Sequence, residues 1–89
     1  MAAAEVHIAG CVAYMRSEAL KGIVDAIECS GLAEVARTDE RGRIVVLIER
    51  ASAAQVLDSI DTIRALPGVL AVHLAYQHAE AEADLQEPQ

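Results

Sequence analysis

The side chains of this chain that could do chemistry are few and badly spaced for it. His7 and Cys11 fall on the same side of one extended segment. They stand about 13 Å apart at ~3.3 Å per residue, too far to share a metal ion. Cys29 has no second cysteine near it, and no C-x-x-C or H-x-x-x-H pair occurs, so a metal carrier is disfavoured and no cofactor is expected. His73 and His78 lie on opposite parities of a second extended segment and read as surface or rim residues. For nucleophilic or acid–base catalysis the sequence would need a serine or thiol beside a base, or paired carboxylates in a cleft. Ser17, Ser30, Ser52 and Ser59 sit where helices begin, end or face solvent, and there is no asparagine. The glycines form no phosphate-cradling pattern. Asp39, Glu40 and Glu49 are left as solvated charges or as acidic anchors for a cationic ligand. The chemistry on offer is therefore recognition, and the expectation is a protein that is not an enzyme.

Composition narrows what is recognised. The chain has 89 residues, one small domain, with 54% hydrophobic residues and a formal net charge of −7. Such acidity argues against nucleic acid, whose phosphates need basic partners, and favours a cationic one. No apolar run reaches the length of a membrane span, so no membrane insertion is expected. The start, Met1-Ala2-Ala3-Ala4-Glu5, has no basic segment before its apolar stretch and does not read as a secretory signal. Two unpaired cysteines fit a reducing, cytoplasmic setting. Trp and Phe are absent and Tyr14 and Tyr76 are the two aromatics, so the core must be built from Val, Ile, Leu and Ala.

Six elements would position these residues. Val6–Met15 reads as a strand. Ser17 opens a helix as its N-cap, with Leu20, Ile23, Val24 and Ile27 on one face and Gly31 as its stop. Leu32–Thr38 reads as a weaker edge strand, Asp39–Gly42 as a turn, and Arg43–Glu49 as a strand around Ile44–Ile48. Ser52 with Gln55 is a capping box, followed by Val56, Leu57, Ile60 and Ile63 at helical spacing. Pro67-Gly68 breaks that helix, and Val69–Tyr76 is the last strand. The order βαββαβ implies a ferredoxin-like α+β sandwich: one four-stranded antiparallel sheet, first and third strands central, two helices on one face. The domain is expected over residues 1–78, with 79–89 an acidic, disordered tail.

Parity then assigns an uncovered face. Glu49 marks the wetter side of the third strand, placing Val45 and Leu47 beside it and Ile44, Val46 and Ile48 inward. A small free cysteine prefers burial, which turns Cys11 inward and Ile8, Gly10, Val12 and Tyr14 outward, with the proviso that a bulge would invert part of this. In the last strand the bulky set Leu70, Val72, Leu74 and Tyr76 is expected inward, and Val69, Ala71, His73 and Ala75 outward as a shallow floor. Contiguous apolar surface of this kind marks an interaction site. A peptide laid across it and a sheet-to-sheet homodimer fit the pattern about equally, and a self-associating, ACT-like module with a small ligand at its interface is the second functional reading.

The residues resemble the NapD family, the cytoplasmic assembly chaperones of the periplasmic nitrate reductase. The matching features are Arg16-Ser17-Glu18 at the first helix, Gly31 before the second strand and Gly42 at the hairpin. They continue with the Ile44–Glu49 strand ending in an acid, and Pro67-Gly68-Val69-Leu70-Ala71-Val72 running on to Tyr76, then His78 and a glutamate-rich tail. The likeness spans residues 6 to 80. It implies binding of the twin-arginine signal peptide of the nitrate reductase catalytic subunit, with the peptide lying on the sheet as a helix. Export would be delayed until the molybdenum cofactor is inserted and the enzyme has folded.

Overall fold

The computed structural model describes residues 5–81. Strand β1 (Glu5–Met15) leads through a single 3-10 turn (Ser17–Ala19) into helix α1 (Leu20–Ser30). Strands β2 (Glu34–Asp39) and β3 (Arg43–Arg50), helix α2 (Ala53–Arg64) and strand β4 (Val69–Ala81) follow. All strand pairs are antiparallel, in the order β2-β3-β1-β4, so β1 and β3 are central. This is the ferredoxin-like α+β architecture expected from the element order. Among the described residues no helix is long and apolar enough to cross a membrane.

The two helices begin differently. Ser52 acts as the α2 N-cap: its hydroxyl accepts from the Gln55 N–H at 3.2 Å, while the Gln55 side chain accepts from the Ala51 N–H at 3.1 Å. Ser17 caps nothing. Its hydroxyl turns to the Glu18 carboxylate, the chain makes a 3-10 turn first, and α1 starts at Leu20 without a side-chain cap. Gly31 ends α1 in the left-handed conformation, φ 73°. Gly42 closes the β2–β3 hairpin at φ 101°, where a side chain would run into the Met15 carbonyl. Its own carbonyl accepts the Met15 N–H at 2.7 Å, tying the hairpin to the end of β1.

The core lies between the helices and one sheet face. Ile23 and Ile27 from α1 and Val56, Ile60 and Ile63 from α2 pack on Ile44, Val46 and Ile48 of β3. Beneath them β1 supplies the small residues Ala9, Cys11 and Ala13, all fully buried. Small residues on this central strand leave room for the aliphatic side chains of the helices and β3 to fill the core. One polar side chain, Ser59, is buried among the described residues, and its hydroxyl accepts from Arg50 Nη1 at 2.7 Å. Strand β4 runs three residues past the boundary expected at 78. Of the acidic tail expected after it, residues 82–89 lie outside the described residues.

Candidate functional site: the uncovered sheet face

Because both helices pack on one side, the other side of the sheet has no cover from the described chain. Residues opposite one another on neighbouring strands share a face, so the register identifies what lies there. From β3 come Arg43, Val45, Leu47 and Glu49, opposite Tyr14, Val12, Gly10 and Ile8 of β1. The outer strand β2 adds Glu34, Arg37 and Asp39, opposite Leu47, Val45 and Arg43. On the other flank β4 contributes Ala71, His73, Tyr76 and His78, opposite Tyr14, Val12, Gly10 and Ile8. Ile8, Val12, Val45 and Leu47 form a half-buried apolar floor.

The register of β4 departs from strict alternation, and two assignments change with it. Its pairing with β1 slips between Tyr14 and Met15 and again between Gly10 and Cys11. At each slip one residue of β4, Leu70 and then Ala75, has no direct partner on β1, and each such bulge inverts the parity beyond it. Val69, expected outward, therefore pairs with Met15 and packs against the core. Ala75, also expected on the floor, is a bulge residue outside the paired floor positions. Tyr76, expected in the core, lies on the open face across Gly10 and is half exposed. Of the bulky set expected inward, only Val72 is buried; Leu70 is a 65% exposed bulge residue, and Leu74 faces the helix side yet stays 47% exposed. The remaining expected positions, Ile8, Gly10, Val12, Tyr14, Val45, Leu47, Glu49, Ala71 and His73, share the one face.

Sequence parity missed Tyr76, Glu34, Arg37 and Arg43 as parts of this surface. A signal for Tyr76 was present: a glycine inside a strand, here Gly10, marks a bulge or a close approach. Both tyrosines of the chain stand on this face next to histidines. Tyr14 meets His73 edge-on with ring centroids 5.4 Å apart, and Tyr76 stacks on His78 at 6.0 Å.

The charges are segregated along the strands. At the Ile8 end a shallow depression is lined by Ile8, Leu47, Glu34 and Glu49 and closed by the Gly31–Ala33 loop. At the Tyr14 end another is lined by Val12, Tyr14, Val45, Arg37, Thr38, Asp39 and Arg43. There the Asp39 carboxylate accepts from the Arg41 backbone N–H and from Arg43 Nη2, both at 2.9 Å. Those bonds hold its carboxyl below the usual carboxylate range, the backbone N–H contributing most. Cys11 is the opposite case: burial pushes its thiol up, leaving it protonated and inert. Among the described residues no three His, Cys, Asp or Glu gather as a metal site. Such a face offers apolar contact, ring stacking and separated charge, the means of gripping an amphipathic cationic segment.

The family model described as NapD protein matches residues 6–81. The chain is similar to the solution structure of the E. coli Tat proofreading chaperone protein NapD, with a TM-score of 0.75 and 27% identity. That alignment covers 94% of this chain and 88% of the other. No curated protein sequence matches the chain.

Proposed function

The chain belongs to the NapD family, and on that premise we propose that it is a Tat proofreading chaperone whose open sheet face binds a twin-arginine signal peptide. It acts by binding, without catalysis and without a cofactor. It works in the cytoplasm, holding its client back from export until folding and cofactor insertion are complete. The client in this reading is the catalytic subunit of a periplasmic nitrate reductase. The observation that carries the proposal is the floor of Ile8, Val12, Val45 and Leu47, left uncovered beside both tyrosines and rimmed by Glu34 and Glu49. A signal peptide joins a basic segment to an apolar one, and this surface has a counterpart for each. The net charge of −7 adds long-range attraction. Both comparisons lead to a chaperone family, so a self-associating ligand-sensing module is not favoured.

Calorimetric titration of the full chain tests the reading. A synthetic peptide with an arginine pair ahead of an apolar segment should bind clearly more tightly than a Lys-Lys version or a scrambled one. No binding by any of them, or equal binding by all three, overturns it.

A further inference from the structure

We propose that the separation of charge along the open face fixes the direction in which the peptide lies: its basic amino-terminal part over Glu34 and Glu49, its apolar part running toward Tyr14. The inference rests on the chaperone reading and adds to it the polarity of the bound segment.

The two ends of the face offer a cation different surroundings. At the Ile8 end, Glu34 and Glu49 flank one shallow depression, and both are exposed. Arg50, the basic neighbour of Glu49 in sequence, is turned the other way: its guanidinium donates to the buried Ser59 hydroxyl on the helix side. Among the described residues neither Glu34 nor Glu49 makes an ion pair, so both carboxylates are available to a guanidinium arriving from outside.

The Tyr14 end has the opposite character. Arg37 and Arg43 line its depression and Arg41 stands in the adjoining turn. Asp39 and Glu40 offset two of these three charges, and Asp39 is already engaged by Arg43. The balance is one net positive charge, so an arginine pair is repelled at this end and attracted at the other. Discrimination between two directions is sharpened when an attractive element is joined by a repulsive one, and this face carries the two.

Between the ends lies the apolar floor. From Ile8 to Tyr14 is six residues of strand, about 20 Å. That is enough for the arginine pair and the start of an apolar segment to occupy separate places. Reversing the peptide would set its arginines against Arg37 and Arg43 and leave Glu34 and Glu49 over apolar side chains, losing both contacts together.

Direction can be read with a nitroxide label on a synthetic arginine-pair peptide, placed first at its amino end and then at its carboxyl end, bound to the full chain labelled with 15N. The amino-end label should broaden the amides of Ile8, Glu34 and Glu49 most strongly, and the carboxyl-end label those of Tyr14, Arg37 and Arg43. The reverse gradient, or the same gradient from both labels, overturns the assigned direction while leaving binding itself intact. A peptide that does not bind at all overturns the chaperone reading and the direction with it. As an independent measure, the double variant Glu34→Gln, Glu49→Gln should bind this peptide roughly five- to tenfold more weakly, the scale of two exposed ion pairs. It should bind a Gln-Gln version as the unmodified chain does. Unchanged affinity for the arginine peptide in that variant overturns the assignment.

Discussion

The ring of Tyr76 lies across Gly10, in the space a side chain at that position would fill. The glycine sits in the middle of a central strand, with ordinary negative φ, so what it supplies is room and not backbone freedom. Because Tyr76 is half exposed, its ring can swing away at modest cost. Gly10→Ala should therefore fold, at a loss of about 1 kcal/mol from crowding. It should also displace the Tyr76 ring and weaken binding of the arginine-pair peptide. Denaturant melts and calorimetry on the same variant measure the two effects separately.

Neighbouring residues of β3 should respond in opposite ways. Val45→Glu places a charge on the uncovered floor, where water can still reach it, and should abolish peptide binding with little change in Tm. Ile44→Ala opens a cavity in a fully buried site and should cost about 2–5 kcal/mol while leaving the floor residues in place. Thermal melts paired with a binding titration distinguish these outcomes.

The two thiols should differ sharply in reactivity. Cys29 is exposed, whereas Cys11 is buried between β1 and the helices with its thiol pushed up by burial. A thiol reagent at neutral pH should modify Cys29 alone in the native protein, and both cysteines once denaturant is added. Rapid modification of Cys11 in the native state would contradict its placement.

The hairpin should show acid sensitivity at Asp39. Its carboxyl is held below the ordinary range by the Arg41 backbone N–H and by Arg43. A group whose folded pKa is depressed stabilises the fold above its unfolded pKa, and that contribution is lost as pH falls through the folded value. Asp39→Asn should thus be less stable than the parent chain at neutral pH. The difference should shrink once the pH drops below the ordinary carboxylate range, as followed by urea melts at a series of pH values.

Most of the fold was legible because local signals and hydrophobic spacing agreed. The Ser52–Gln55 cap, the Gly31 stop and the Gly42 turn all lie where their residue types suggest. The facing of β1 and β3 was legible too, since Cys11 and Glu49 fix opposite sides of regular strands. What the sequence concealed was β4. Alternation carries orientation only while pairing is regular, and two bulges depend on how β4 meets β1, a relationship between segments distant in the chain. That is why Val69 and Tyr76 exchanged sides. Ser17 misled for a more local reason: its hydroxyl found the Glu18 carboxylate, and the chain entered α1 through a tighter turn.

A core made without aromatic side chains has a spectroscopic consequence. Trp and Phe are absent, and both tyrosines stand on the open face. Ultraviolet absorption, intrinsic emission and near-ultraviolet dichroism therefore all originate at the surface where a partner would lie. A ligand without aromatic residues would announce itself through native tyrosine emission, with no dye attached. By the same token, heating followed through that emission records events at the sheet surface, and the melting of the aliphatic interior has to be followed through the peptide backbone.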